Sequence, residues 1–463
     1  MNNIYFIGIG GIGMSALARY FLHYGNKVAG YDRTRSPLTC ELAAEGISIH
    51  YDDDASLIPV EFKSSETLVI YTPAVGDDNT ELQYFQQNGN KIIKRSAALG
   101  VIANHHNLLA VAGTHGKTTT STLLAHLLTV AGDACTAFLG GISKNYGTNL
   151  LLAPNEHAVM VAEADEYDRS FLQLHPTVAI VTSMDADHLD IYGNIDELEK
   201  SFRAFALQIK QGGTLIVKKQ FASKLEDLAS SIFTYSYNEV ADFYAAHIVA
   251  QDSGLFAFDM VTPFGTIENC TVGIGGWVNV ENAVAAAAAA LCYHLQIAKD
   301  TSFDVLANRC RDALKSFVGV QRRLDVHIQN ERIVYIDDYA HHPAEIAAAI
   351  SSVRTMFPRK KITGIFQPHL YTRTRDFAQE FGKSLSALDQ LILLDIYPAR
   401  EKPIAGVSSQ IIFDNVVMTR KQQCSKKNLL NLIRQNHYEV VMTMGAGDID
   451  TLINPLKNYL QNE

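Results

Sequence analysis

The segment Gly113-Thr114-His115-Gly116-Lys117-Thr118-Thr119-Thr120 lies between an apolar run, Asn107–Ala112, and a helix-like stretch, and it constrains the fold more than any other part of the chain. A glycine-rich turn that leaves a strand and opens a helix aims backbone N–H groups at a phosphate. Lys117 is then placed to reach the β and γ oxygens of a nucleotide, and Thr118 to hold Mg²⁺. Gly113, Thr114, His115, Gly116, Lys117, Thr118 and Thr119 are the candidate ATP-binding residues. Val111 stands where the P-loop pattern has its first glycine, so the plain alternative is a glycine-rich turn ahead of a Thr-capped helix.

A strand that feeds such a loop belongs to a parallel sheet, and strand–helix alternation recurs three times along the 463 residues. The first set holds strand Ile4–Ile9, helix Met14–Tyr24 and strand Lys27–Tyr31. A second set runs from Asn107–Ala112 through Ala158–Ala162 and Val178–Thr182. Between Gly213 and Gly275 it changes to alternating segments such as Leu255–Met260, the mark of a small antiparallel sheet. The alanine-rich run after Asn282 predicts a buried helix. A third set starts near Phe317, with strands Ile333–Ile336, Ile362–Phe366, Leu391–Leu394 and Val440–Met442. The expected fold is α/β in three domains, 1–103, 104–316 and 317–463, the middle one a parallel sheet with a small antiparallel sheet appended and the last one doubly wound.

Composition narrows the function. The 39 basic and 49 acidic residues give a net charge of −10 with no basic runs, which argues against a nucleic-acid or anionic-membrane surface. Six scattered cysteines, with no C-x-x-C pair, read as buried thiols of a reducing compartment. The first ten residues carry no Lys or Arg and no cleavage site, and the longest apolar stretch, Ala283 to Tyr293, is too short to span a bilayer. A cytoplasmic protein without membrane insertion is expected, as a monomer or weak dimer.

The strand ends supply further candidates. Strand Ala158–Ala162 delivers Glu163 to the sheet edge where the phosphate loop lies, with Asp165, Glu166 and Asp168 close behind. A carboxylate there can bind the nucleotide's Mg²⁺. Acid clusters are usually solvated loop, so only Glu163, at the strand end itself, is singled out. Val178–Thr182 leads to His188 among acids, suited to a metal or a γ-phosphate, although a lone histidine is more often structural. Near the N-terminus Gly8, Gly10, Gly11, Ile12 and Gly13, with Asp32 one unit later, match a dinucleotide turn and its ribose-binding acid. That turn serves a dehydrogenase as readily as any nucleotide binder, but the downstream phosphate loop weighs against hydride chemistry.

With these sites in this order the chain resembles the Mur ligase family over essentially its whole length. The resemblance is carried by Gly8–Gly13, Gly113–Thr120, Glu163-Ala164-Asp165-Glu166, Asp187-His188, Asn279 with Asn282, Gln321-Arg322-Arg323, Asp337 through Pro343, and Phe366-Gln367-Pro368-His369. It implies a Rossmann-like UDP-binding domain, a central P-loop ATPase domain and a C-terminal Rossmann-like domain that binds the amino acid. It also implies ATP and Mg²⁺ as cofactors, with UDP-N-acetylmuramate and L-alanine as substrates for peptidoglycan precursor synthesis. The muramate carboxylate would take the γ-phosphate, and an amine would then displace phosphate. On this resemblance Gly8, Gly10, Gly11, Ile12, Gly13 and Asp32 hold the UDP substrate, Thr118, Glu163 and His188 serve Mg²⁺, and Asn279 and Asn282 contact the nucleotide. Lys117 stabilises the transferring phosphoryl group, while Arg323 and Asp338 reach ATP when the C-terminal domain closes. Tyr339, His341, His369 and Arg373 form the amino-acid site.

Three departures stand out. Val278 replaces a common histidine, Leu370 replaces an arginine that usually contacts the amino-acid carboxylate, and Arg203 occupies the position of a lysine that some sister ligases carbamylate. Arg373 and Arg375 lie close enough in sequence to substitute for the second. The rival within the family is the recycling ligase that adds a ready-made tripeptide to UDP-N-acetylmuramate. From other classes, an NAD-dependent oxidoreductase and a non-catalytic nucleotide-binding regulator stay open.

Overall fold

Each strand–helix alternation becomes one sheet in the computed structural model, which describes residues 2–462 apart from 156–157, 186–188, 229–230, 252–253, 300 and 400. The chain forms two compact units. One comprises Met1–Ala246, Asp259–Cys270 and Glu281–Phe317, and the other His247–Phe258, Thr271–Val280 and Val318–Glu463.

The first sheet contains β1 (Asn3–Ile7), β2 (Lys27–Tyr31), β3 (Ser48–His50), β4 (Leu68–Tyr71) and β5 (Ile92–Lys94), in the order β3-β2-β1-β4-β5 with every pair parallel. Successive side chains of a strand point to opposite faces, so a sheet covered on both sides reads as a continuous apolar run. Accordingly Ile4 and Phe6 enter one apolar cluster and Tyr5 and Ile7 another.

The second sheet has ten strands: β6 (Leu108–Ala112), β7 (Cys135–Ser143), β8 (Thr148–Leu151), β9 (Val159–Glu163), β10 (Val178–Val181), β11 (Thr214–Lys218), β12 (Ile232–Ser236), β13 (Phe243–Ala250), β14 (Phe256–Thr262) and β15 (Gly265–Thr271). Their order is β15-β14-β13-β12-β11-β10-β6-β9-β7-β8. The alternating strands after Gly213 therefore extend the parallel sheet rather than forming a separate one. Short connections hold β13, β14 and β15 as neighbours, and β13 joins the end of β12 in parallel register, Tyr235 opposite Phe243. Between β10 and β9, β6 runs down the middle and delivers the phosphate loop to the carboxyl edge.

The third sheet contains β16 (Asp325–Gln329), β17 (Val334–Asp338), β18 (Ile362–Phe366), β19 (Gln390–Leu393), β20 (Lys421–Gln423) and β21 (Val440–Met444), ordered β16-β17-β21-β18-β19-β20. Only β16 is antiparallel, at one edge.

Four helices position the site: α1 (Ile12–His23), α2 (Arg95–Ala103), α3 (Lys117–Ala131) and α4 (Trp277–Cys292). Most of α3 is buried, including Thr118 to Leu128 without interruption. In α4 the run Ala283–Ala289 is fully buried, because methyl side chains let a helix lie close against its neighbours. The six cysteines are free, but Cys424 is half-buried and Cys40 is exposed rather than buried, on a short helix whose Thr39 and Leu42 face inward instead. Among the described residues no helix is long and apolar enough to cross a membrane.

Candidate active site

At the carboxyl end of β6 the backbone turns with Gly113 at φ 134° and Gly116 at φ 80°, conformations open mainly to glycine. The second of these places the N–H groups of Lys117, Thr118 and Thr119 at the start of α3, where no side chain caps them. The loop is tied to the end of β10. Ser183 Oγ accepts from His115 N at 2.7 Å and bonds Thr114 Oγ1 at 2.8 Å, and Thr182 Oγ1 donates to Ala112 O at 3.1 Å. Asn282 approaches from α4 and accepts from Thr120 Oγ1 at 3.2 Å.

The lysine of this loop is occupied. Lys117 Nζ donates to Gly113 O at 2.7 Å and lies 2.7 Å from Glu166 Oε2, with side-chain exposures of 13% and 0%. Burial opposes the lysine's charge, but Glu166, Asp165 and Glu163 outweigh it and raise its pKa. Full enclosure pushes the Glu166 carboxyl up to about 7 despite the cation beside it. The two shifts favour opposite states of the pair. Burial is decisive for Glu166, which has one cation against complete enclosure, while Lys117 keeps its charge through Asp165 and Glu163 as well.

A cavity of about 240 Å³ is bounded by the N-terminal turn, Gly11 to Met14, by Gly140 and Glu163 of the central sheet, and by Asp165 just after β9. Arg95 is the cation among the described residues lining it, and it pairs with Asp165 at 3.0 Å. Its guanidinium passes so close to Gly13 that a β-carbon there would stand 2.7 Å from Nη1. Glu163 Oε2 is buried without a hydrogen-bond partner among the described residues. An orphaned carboxylate oxygen suits a hard cation, since an unpaired buried charge is otherwise costly. Asp32 turns out to support the turn itself, accepting from Gly10 N at 2.7 Å and Thr34 N at 2.9 Å. Gly8, at φ 85°, donates its N–H to Tyr31 O at the start of the same turn.

In the other unit a second cluster forms around the end of β17. Asp338 accepts from Leu324 N and Ala340 N, both at 2.7 Å, and burial raises its carboxyl to about 6 although Arg323 opposes the shift. Arg323 lies over the Tyr339 ring at 5.0 Å, Tyr339 is 5.2 Å from His341, and His341 is 5.9 Å from His369. Leu370 follows at φ 72°, a strained conformation for a leucine, with its N–H on Tyr397 O at 3.0 Å. Arg373 sits on the short helix Tyr371–Asp376 that begins there. Asn279 is buried and donates to Gly275 O at 2.6 Å.

The structure thus brings Lys117, Thr118, Glu163 and Asn282 to one sheet edge, and Arg323, Asp338, Tyr339, His341 and His369 to another. Asp187 and His188 lie outside the described residues. Arg203, at the position of the lysine that some sister ligases carbamylate, is bound to Asp227 at 2.7 Å. Among the described residues no three His, Cys, Asp or Glu side chains gather as a metal-binding group. Sequence reasoning dismissed Glu166 as solvated loop, whereas it is the fully buried partner of Lys117. It also missed Arg95. Two cations, Lys94 and Arg95, at a helix's positive end run against the helix dipole, and that was the available signal.

Three family profiles cover this architecture in order: "Mur ligase family, catalytic domain" over residues 3–107, "Mur ligase middle domain" over 111–290, and "Mur ligase, glutamate ligase domain" over 322–447. The chain belongs to the Mur ligase family. A UDP-N-acetylmuramate–L-alanine ligase of Parabacteroides distasonis is 49% identical over 460 residues, spanning 99% of this chain and 97% of that one. A protein of the same name from Porphyromonas gingivalis is 50% identical over 466 residues, covering 100% and 99%. Among solved structures, the UDP-N-acetylmuramate-alanine ligase of Thermotoga maritima superposes with a TM-score of 0.81 at 25% identity, covering 100% of both chains. A murein peptide ligase of Psychrobacter arcticus, at 21% identity and a TM-score of 0.71, shares the fold.

Proposed function

We propose that this chain is an ATP-dependent ligase that joins L-alanine to the carboxylate of UDP-N-acetylmuramate in peptidoglycan precursor synthesis. The observation that carries the reading is the cavity shared by the N-terminal glycine turn and the carboxylates beside Lys117. Relatives about half identical over the whole length and bearing that name support the choice of substrates. The domains act as 1–103 for the UDP substrate, 104–316 for ATP and 317–463 for the amino acid, in a cytoplasmic enzyme.

The N–H groups at the start of α3 hold the nucleotide's phosphates, and Lys117 leaves Glu166 to neutralise charge on the transferring phosphoryl group. Arg95 receives an anionic group of the UDP substrate, and the glycine turn presents its N–H groups to the diphosphate. Thr118 and Glu163 would hold Mg²⁺, with His188 as a further ligand. Bound there, the ion would supply charge neutralisation at the phosphates. The muramate carboxylate oxygen bonds to the γ-phosphorus as the bond to ADP breaks. The amine then adds to the acyl carbon, and phosphate leaves as the amide forms. Arg323 and Asp338 serve ATP from the C-terminal side, Asn279 and Asn282 hold the nucleoside, and His341 or His369 takes the amine's proton. Arg373 holds the amino-acid carboxylate in place of the arginine missing at Leu370.

The test is initial phosphate release with ATP, Mg²⁺ and UDP-N-acetylmuramate across a panel of amino acids and the tripeptide L-Ala-γ-D-Glu-diaminopimelate. L-Alanine is expected to be fastest, with weaker glycine and serine activity, because one methyl group in an apolar pocket discriminates by only about 1–3 kcal/mol. Arg373→Ala should raise the KM for alanine and leave that for ATP nearly unchanged. Faster use of the tripeptide would make this the recycling ligase instead.

A further inference from the structure

The first turn of α1 lines the cavity, yet its N-cap is Gly11, which has no side chain to fix it. What fixes it comes from the central sheet. Asn149, on β8 and fully buried, donates from Nδ2 to Ile12 O at 2.6 Å and to Ser15 Oγ at 3.0 Å. Its Oδ1 accepts from Arg19 Nη1 at 2.7 Å, and Arg19 is itself held by Glu41 at 3.0 Å and Glu45 at 2.8 Å. Both amide N–H bonds and the carbonyl oxygen are thereby used, and only one orientation of the amide serves. Reversed, the oxygen would face the Ile12 carbonyl and the NH₂ group would face the guanidinium.

The contact has a directional consequence. Asn149 grips the turn through its carbonyl and the Ser15 hydroxyl, so the N–H groups of Ile12, Gly13 and Met14 stay uncommitted for an anion. The same strand, β8, pairs with β7, which carries Gly140 of the cavity's far wall. One buried side chain therefore ties the anion-holding turn directly to the sheet that carries Glu163.

We propose that Asn149 is a positioning residue for substrate binding: it holds the Gly11–Met14 turn in register with the phosphoryl-transfer site, and Arg19 acts only as its structural brace. The proposal rests on reading that turn as the UDP-substrate site. Asn149→Leu removes the donors at similar volume without adding charge, whereas Arg19→Met loosens the brace and leaves both turn contacts in place. Calorimetry on the full-length wild type and both variants would use UDP-N-acetylmuramate and, separately, ADP. Asn149→Leu should weaken UDP-N-acetylmuramate binding by about tenfold, the loss expected for one to two net hydrogen bonds, with ADP affinity within twofold of wild type. Arg19→Met should lower the melting temperature and leave both affinities within twofold. If Asn149→Leu does not fold, Asn149→Ser, which keeps one short donor, is expected to show the same split at smaller size. Unchanged UDP-sugar affinity in the Asn149 variant, parallel loss of ADP affinity, or equal weakening by Arg19→Met would overturn the proposal. A wild type that binds ADP but no UDP-N-acetylmuramate would overturn the substrate reading itself and the proposal with it.

Discussion

Two glycine-rich turns each open a helix in this molecule, and they are equipped differently. The turn before α3 carries its own cation, Lys117, held by a fully buried carboxylate. The turn before α1 has none. Its cation, Arg95, comes from another helix and pairs with Asp165 in the loop after β9, while Asp32 and Asn149 fasten its backbone. Where a phosphoryl group moves, charge develops during the reaction and a cation must follow it. Where a diphosphate is only held, a fixed cation and a fixed backbone are enough.

The sharpest way to break this contrast is Lys117→Ala. Phosphate release should fall by about a hundredfold or more, the scale for a preorganised charge contact, with UDP-N-acetylmuramate binding unchanged by calorimetry. A rate near wild type would leave the two turns equivalent. Arg95→Met tests the other side. UDP-N-acetylmuramate affinity should drop about 10- to 150-fold, as expected when a hydrogen bond to a charged group worth about 1.5–3 kcal/mol is lost. ADP binding should stay within twofold, and a loss confined to ADP would reverse the assignment.

Glu166→Gln sharpens the contrast through pH. Burial holds the Glu166 carboxyl at about 7, above its ordinary value of 4.5, so across that window the folded protein keeps a proton that the unfolded chain has released. Wild-type stability from this group is therefore greatest at low pH and declines as pH rises through 7. Melting temperatures of wild type and variant between pH 5 and 8 should show the wild type losing ground to Glu166→Gln up to about pH 7, then running parallel. Parallel curves throughout would mean that Lys117, not burial, controls the carboxyl. The smallest effect is expected from Gly13→Ala, whose β-carbon would meet the flexible end of Arg95 at 2.7 Å. A few-fold rise in the KM for UDP-N-acetylmuramate, with that for ATP unmoved, is the expected outcome.

What was legible in the sequence was local. The strand–loop–helix around Lys117 and the strand end at Glu163 need only neighbouring residues to be read, and both fall where expected. Strands Lys27–Tyr31 and Ile362–Phe366 match residue for residue, because a doubly covered strand is an unbroken apolar run. The partners that tune those elements were not legible. Glu166 meets Lys117 across 49 positions, Arg95 meets Asp165 across 70, and Asn149 meets Ser15 across 134. No periodicity reports a contact of that span. Of the strands after Gly213, β14 alternates as read while β11 is buried on both faces, and the small antiparallel sheet expected there is continuous with the parallel one, since alternation shows a half-buried strand and not the neighbour it pairs with.

The third sheet carries a consequence for how the protein is made. Its order places β21, the last of its six strands to be synthesised, between β17 and β18 rather than at an edge. Until Val440–Met444 has emerged, β17 and β18 lack the strand that both pair with, and the backbone N–H and C=O groups of those edges stay unpaired while about 75 to 100 residues are still being added. At synthesis rates of about 5–20 residues per second that interval lasts several seconds. A chain cut shortly before residue 440 would lose the centre of its sheet, so such fragments should be captured by chaperones or degraded rather than persist as shortened enzymes.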